Sequence, residues 1–112
     1  MKVLIYDPAL CCSTGLCGPE PDPVQLNVNE TILMLLKQGV SVERFNLAKQ
    51  MGEFLSNIEV SVLLRSNGKD VLPITIVNGK VIKTRSYASY QELCAALGLK
   101  PLKGTVKFLK QD

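Results

Sequence analysis

The sequence predicts a mixed α/β domain in which strands and helices follow one another in the order β-α-β-α-β-β-α. Two observations support this fold class, and a third indicates a single domain. Short apolar runs typical of strands alternate with longer stretches whose apolar residues recur at helical spacing. An Asn-Gly pair lies between two β-branched runs, which is a strong hairpin signal. The chain has 112 residues, of which 46% are hydrophobic, so we expect one domain over residues 1–112 with a core of its own.

A cysteine-containing loop separates the first predicted strand from the first predicted helix. Residues 2–6 are apolar enough for a short buried strand, whereas the loop over residues 7–21 contains three cysteines, two glycines and three prolines. Asp22 can cap the helix, Pro23 suits its first position, and Gln25 stands where a capping-box partner belongs. Gly39 is expected to end the helix. Its predicted apolar face comprises Val24, Val28, Ile32, Leu35 and Leu36.

The middle of the chain predicts a strand followed by two short helices. Residues 40–46 alternate apolar and polar side chains, which is typical of a half-buried strand. Residues 47–67 are helical in character, but Gly52 weakens the first part and Ser56-x-x-Glu59 is a capping pattern for the second. We expect the second helix to bury Ile58, Val62 and Leu63.

The last third of the chain predicts a hairpin and a final helix. Residues 71–77 and 80–84 form the two strands, joined by the Asn78-Gly79 turn. The helix covers Ser89 to Leu97 and ends at Gly98. Because helices follow the first two strands, these strands should pair in parallel through right-handed crossovers, and the hairpin should add an antiparallel edge.

Pro73 connects the predicted fold to the cysteine loop. A proline at the start of a strand requires either an edge position or a cis peptide bond, and the sequence leaves both open. The predicted element order, with a proline just before the third strand, is that of the thioredoxin-like fold. In that fold the proline faces the loop that follows the first strand. Here that loop contains the cysteines.

Composition narrows the classes of function. The formal net charge is only +3, and the lysines of the tail over residues 99–112 are best interpreted as solvated surface, without the aromatic interleaving of a nucleic-acid site. No apolar run reaches the roughly 18–20 residues that cross a bilayer, and we find no secretion signal at the N-terminus. We therefore expect a cytosolic protein, in which cysteines serve metal binding or redox chemistry more often than structural disulfides.

Cys11, Cys12 and Cys17 are the candidate ligands for a soft ion. Three thiolates without a fourth partner suit an ion that bonds to three sulfurs and keeps a lone pair, as trivalent arsenic and antimony do. A structural zinc site requires four ligands, and the chain has no histidine. Cys94 could supply a fourth thiol, but it shares a helix face with Tyr90 and Leu97, so we interpret it as a core residue.

Two other functions remain open at this point. A Cys12–Cys17 redox pair would make the chain a thioredoxin-like thiol–disulfide oxidoreductase, although four residues separate the two cysteines instead of the two of a C-x-x-C motif. A DNA-binding regulator that senses metalloid is the other alternative. Three cysteines in a loop rich in glycine and proline are poor candidates for simple core packing.

The sequence also resembles a known family. The resemblance is carried by Tyr6–Gly18, which contains C-C-x-x-x-x-C, by Val42–Ala48, and by Leu72-Pro73-Ile74 with the Asn78-Gly79 turn. These segments are similar to those of the ArsD family of arsenical resistance operon proteins, and the likeness extends to about Leu99.

That resemblance implies a thioredoxin-like arsenic metallochaperone without enzymatic activity. It implies that Cys11, Cys12 and Cys17 bind As(III) or Sb(III) taken from cytosolic thiols such as glutathione, with no organic cofactor. The ion would then pass to ArsA, the ATPase of the efflux pump. Family members are also described as dimers and as weak trans-acting repressors of their operon. Some have further cysteine pairs near the C-terminus, which this chain does not have.

Overall fold

The computed structural model of the protein describes residues 1–9 and 22–100, and these residues form a sheet with helices on both faces. The predicted order of strands and helices is confirmed, with the region after the second strand divided between two helices. None of the helices in this part of the chain is both long and apolar enough to cross a membrane. The elements are β1 (Lys2–Asp7), α1 (Pro23–Lys37), β2 (Ser41–Asn46), α2 (Met51–Ser56), α3 (Ile58–Asn67), a 3₁₀ turn (Gly68–Val71), β3 (Ile74–Val77), β4 (Lys80–Lys83) and α4 (Tyr90–Leu97).

The four strands form one mixed sheet in the order β2-β1-β3-β4. β1 and β2 are parallel, with Ile5 opposite Arg44 and Tyr6 opposite Phe45. β3 is antiparallel to β1, with Ile74 opposite Tyr6, and β4 completes the hairpin at the edge. The parallel pair joined by a helix and the antiparallel hairpin beside it confirm the thioredoxin-like fold.

Two hydrophobic clusters cover the two faces of the sheet. Because side chains alternate along a strand, Val3 and Ile5 pack with α1 and α4 on one face. Tyr6 lies on the other face, where its ring contacts those of Phe45 and Phe54 at centroid distances of 5.0 and 5.1 Å. Asp7 lies two residues after Ile5 in the same strand, so its side chain points to the same face of the sheet, which α1 and α4 cover.

The cap at Asp22, the hairpin turn and the cap of α4 lie where the sequence predicts them. The Asp22 side chain accepts a hydrogen bond of 2.9 Å from the Val24 amide and begins α1. Asn78 and Gly79 both have positive φ, 51° and 86°, as their two-residue hairpin turn requires. Ser89 and Glu92 form a reciprocal capping box at α4, which ends at Gly98 in the left-handed conformation. The Leu72–Pro73 peptide bond is cis, which decides the alternative left open by the sequence.

The predicted buried face of α1 is partly wrong. Val28 and Leu35 are buried as expected and Ile32 packs against the same cluster, but Val24 and Leu36 are about half exposed. Leu36 lies 100° around the helix from Leu35, which places it at the edge of the face that contacts the sheet. Gln25 is buried and bonds across to β2, so it is not the capping-box partner that the sequence predicts.

The predicted buried face of α3 is also partly wrong. Ile58 is 79% exposed and Val62 is about half exposed, whereas Val60 and Ser61 are buried. Leu63 is partly buried, in agreement with the prediction. Apolar residues occur on both sides of this helix, so their spacing alone does not decide which side packs against the sheet. The predicted cap is also wrong by one residue: Ser56 ends α2, and the side chain of Asn57 caps α3 through the Val60 amide at 3.2 Å. The apolar residues outside that face remain in contact with solvent.

Candidate functional site

The cysteine-containing segment leaves and rejoins the described structure at one edge of the sheet. Cys11, Cys12 and Cys17 lie outside the described residues, so their assignment as ligands stays a prediction. β1 ends at Asp7 and α1 begins at Pro23, and both ends lie at the carboxyl edge of the parallel pair. Since Tyr6 pairs with Ile74, the next position along places Pro73 beside Asp7. The proline and the two ends of the segment therefore share one edge.

A buried polar cluster occupies the same edge, on the face of α1 and α4. Asp7 is 1% exposed and forms a two-pronged ion pair with Arg44, whose Nε and Nη2 donate to Oδ2 and Oδ1 at 2.8 and 2.7 Å. Two further donors of Arg44 bind α1: Nη2 donates to Oε1 of Gln25 at 2.6 Å and Nη1 to Oδ1 of Asn29 at 3.1 Å. A paired, hydrogen-bonded arrangement of this kind is what makes a buried charge tolerable.

Tyr87 completes the cluster from the loop before α4. Its hydroxyl donates to Oδ1 of Asp7 at 2.5 Å and accepts from Nε2 of Gln25 at 2.9 Å. The Arg44 guanidinium carbon lies 5.9 Å from the centre of the Tyr87 ring. β1, α1, β2 and the loop before α4 thus meet in one hydrogen-bonded network.

The electrostatics of the cluster favour a protonated Tyr87 and a charged Arg44. Burial, and then the hydrogen bond donated to Asp7, raise the pKa of Tyr87 to about 12. Burial by itself would lower the pKa of Arg44, but the hydrogen bonds and the charge of Asp7 outweigh it, and that pKa is raised. At neutral pH the cluster therefore consists of the Arg44–Asp7 ion pair and the neutral hydroxyl of Tyr87, which is hydrogen-bonded to Asp7.

Cys94 lies in the core, away from a ligand role. It is 1% exposed and packs with Tyr90, Leu93 and Leu97 in the cluster beneath α4, which agrees with the sequence interpretation. Across residues 1–9 and 22–100 there is no group of three or more histidine, cysteine or carboxylate side chains that could hold a metal ion.

Sequence reasoning did not identify the Asp7–Arg44–Tyr87 cluster. The sequence places Asp7 in the loop that follows the first strand, although β1 extends through it, and Arg44 at a polar position of a half-buried strand. The sequence of β2 contains one indication of the cluster. Arg44 follows Val40 and Val42 at every second position, and these valines face the core, so Arg44 should face the core as well. A cation at a core-facing position needs a buried anion nearby, and Asp7 at the end of the neighbouring strand is that anion.

Comparisons with known proteins find sequence similarity to one family. Residues 1–111 match the family model described as arsenical resistance operon protein ArsD. An arsenical resistance operon trans-acting repressor ArsD of Escherichia coli is 35% identical over 100 residues, which cover 88% of this chain and 83% of the relative. A relative in Halobacterium salinarum, named for the same operon repressor, is 35% identical over 95 residues, covering 84% of this chain and 88% of its own.

A solved structure shares the fold as well as the sequence. The crystal structure of an arsenical resistance operon trans-acting repressor from Bacteroides vulgatus superimposes with a TM-score of 0.80. It is 36% identical to this chain, and the match covers 88% of this chain and 93% of that one. The names of these relatives describe operon regulators and no enzyme. The chain belongs to the ArsD family of arsenical resistance operon proteins.

Proposed function

We propose that this protein is a cytosolic carrier of trivalent metalloid, which binds As(III) or Sb(III) through Cys11, Cys12 and Cys17 and passes it to an ArsA-type ATPase. One observation carries the proposal: an ArsD-family chain has three cysteines within seven residues, in the segment between Asp7 and Pro23. Thiolates are soft ligands that suit a thiophilic ion. The chain has no histidine that would favour zinc.

Loading is an exchange of thiolates without a change in oxidation state. Each protein thiolate forms an As–S bond as one glutathione thiolate leaves the ion and takes up a proton. Three such steps convert an arsenic–tris(glutathione) complex into a three-sulfur protein complex and release three glutathione molecules. After the first bond the later steps are intramolecular, so a high effective concentration of the remaining thiols drives them.

Unloading follows the same chemistry in reverse. A thiolate of the acceptor ATPase attacks the bound ion, one carrier sulfur leaves and is protonated, and the ion is shared until the remaining carrier sulfurs have been replaced. No electron is transferred and no bond of the protein backbone is formed or broken. The protein therefore acts as a carrier and not as an enzyme.

The binding site can be tested by arsenic X-ray absorption. We expect three sulfur neighbours in the wild-type complex, two in Cys17→Ser, and three in the matched control Cys94→Ala, since Cys94 lies in the core. Fewer than three sulfurs in the wild type, or equal affinity of the wild type and Cys17→Ser, would contradict the proposal.

The carrier role can be tested by the metalloid-stimulated ATPase activity of the ArsA-type partner. At limiting arsenite, in the presence of glutathione, we expect the protein to lower the arsenite concentration needed for half-maximal activity. Cys17→Ser should have little effect and Cys94→Ala should act like the wild type. An arsenite requirement that the protein does not change would remove the carrier role but would leave arsenic binding intact.

A repressor role is the second candidate, and the names of the relatives favour it. A homodimer would present two equal surfaces to a palindromic operator. Titration of the protein's own promoter duplex, against a scrambled duplex at the same ionic strength, should show binding that arsenite weakens. Sedimentation of the free protein tests the dimer.

An insulin-reduction assay tests the oxidoreductase alternative: reduction of insulin that depended on Cys12 and Cys17 would favour that function over the carrier role.

A further inference from the structure

We propose that Arg44, with Asp7 and Tyr87, is a positioning residue for the three thiols, because it holds the two ends of the cysteine-containing segment in a fixed relation to each other. The inference rests on the proposed function, since it concerns how the thiols reach one ion.

The first link between the two ends is the Arg44 side chain itself. Asp7 is the last residue of β1, and Gln25 lies in the first turn of α1. Nη2 of Arg44 donates to both, at 2.7 Å to Asp7 Oδ1 and at 2.6 Å to Gln25 Oε1. One guanidinium nitrogen therefore bridges the residue before the segment and the first turn after it.

The second link runs through Tyr87. Its hydroxyl contacts the same two residues, donating to Asp7 at 2.5 Å and accepting from Gln25 at 2.9 Å. The two bridges come from different parts of the chain, one from β2 and one from the loop before α4. Such a doubly linked arrangement restrains both the distance and the orientation of the two ends.

The effect of Arg44 on the thiols is geometric and not one of net charge. Its guanidinium is neutralised by Asp7 at 2.7 Å, and the side chain is only 11% exposed. The hydrogen bonds of the sheet already hold β1 to β2 over the whole of both strands. What Arg44 adds is the connection from that pair to α1, through Gln25 and Asn29.

Fixed ends assist a three-sulfur site because Cys11 is four residues after Asp7 and Cys17 is eight residues before Gln25. The fewer relative positions these ends adopt, the less ordering remains when three sulfurs bind one ion. Partners that orient metal ligands typically change metal affinity by 10- to 100-fold when they are removed. We expect Arg44 to act within that range.

Equilibrium dialysis of arsenite against the reduced protein provides the first test. Arg44→Lys keeps the positive charge but removes the planar guanidinium, which hydrogen-bonds to Asp7 and to α1 at the same time. We therefore expect the affinity of this variant for arsenite to fall about 10- to 100-fold. Tyr87→Phe removes one hydroxyl and should weaken binding less. The matched control is Arg65→Lys on the opposite face of the sheet, which should bind normally; Arg65 is exposed, and its Nη2 donates to Oγ of Ser61 at 3.3 Å.

A second readout separates positioning from loss of the fold. Alkylation of a single thiol by iodoacetamide does not require the three sulfurs to be placed together. We expect its rate to be the same in Arg44→Lys, Tyr87→Phe and the wild type, at a temperature where all three give the same far-ultraviolet circular dichroism. Unchanged arsenite affinity in both cluster variants, or an alkylation rate that changes in the same proportion as the affinity, would overturn the inference.

A measurement without arsenic keeps the inference distinct from the proposed function. In a glutathione buffer, two protein thiols and one oxidised glutathione give one protein disulfide and two reduced glutathione molecules. The equilibrium constant reports the effective concentration of Cys12 and Cys17 for each other. Arg44→Lys should lower this constant, and an unchanged value would overturn the inference. A wild-type protein that showed this dependence on Arg44 but bound no arsenite would refute the proposed function alone.

Discussion

At the scale of single residues, Tyr87 connects the pH dependence of stability to the site. Its pKa in the fold is about 12, against 10 for an ordinary tyrosine, because burial and the bond to Asp7 favour the protonated form. The unfolded chain releases this proton first as pH rises. The stability that Tyr87 contributes is therefore fully present below pH 10 and is lost as the pH rises from about 10 to about 12.

Replacement of Tyr87 by phenylalanine should remove that part of the alkaline loss of stability. We expect the free energy of unfolding, measured with urea at a series of pH values above 9, to fall less steeply in Tyr87→Phe than in the wild type. The difference in phenolate absorbance between the two proteins should show a tyrosine that ionises well above pH 10. A difference spectrum with an ordinary midpoint would contradict the assignment of this proton to the Asp7 bond.

At the scale of elements, α3 has one face in the core and another in solvent. Val60 is completely buried, whereas Ile58 lies with Val62 and Val81 on an open surface groove of about 410 Å³. We expect Val60→Ala to lower the free energy of unfolding by roughly 1.5–3 kcal/mol, the value of burying such a side chain. Ile58→Ala, the same kind of change two residues earlier, should stay within about 0.5 kcal/mol. Urea unfolding measures both, and equal losses would contradict this orientation of α3.

The start of α4 depends on its capping box. The Ser89 hydroxyl accepts from the Glu92 amide at 3.1 Å, and the Ser89 amide donates to Glu92 Oε1 at 2.8 Å. We expect Ser89→Ala to destabilise the protein by about 1 kcal/mol, measured by urea unfolding. Ser86→Ala, an exposed serine in the loop before the helix, is the control. Equal stability of the two variants would contradict a role for the cap.

The same capping box has an acid dependence. The Ser89 amide, and then the bond to Lys83, lower the pKa of Glu92 from 4.5. The contribution of Glu92 is therefore present above that ordinary value and is lost as the pH falls through the lowered one. This places the change at the opposite end of the pH scale from that of Tyr87.

At the scale of the whole molecule, the order of elements followed from local signals, but the contacts between them did not. Asn78-Gly79 and Ser89 each determine a turn or cap through their own backbone neighbours, so a single sequence is enough to place them. Arg44 and Asp7 are 37 positions apart, and only the parallel register brings them together. The prediction for Ile58 is wrong for a related reason: α3 has apolar residues on both sides, and only its packing against the sheet decides which side is buried.

Binding of arsenite should stabilise the whole molecule if the three thiols meet only in the folded chain. A ligand bound only by the native state adds RT ln(1 + [L]/Kd), which is about 2.7 kcal/mol at a hundred times Kd. We therefore expect the thermal midpoint of the reduced protein to rise with arsenite concentration, measured by circular dichroism. The rise should be absent or much smaller in Cys17→Ser. It should be retained in Cys94→Ala, because the Cys94 thiol lies on the core-facing side of α4. An equal rise in Cys17→Ser would mean that arsenite stabilises the fold from somewhere other than the three-sulfur site.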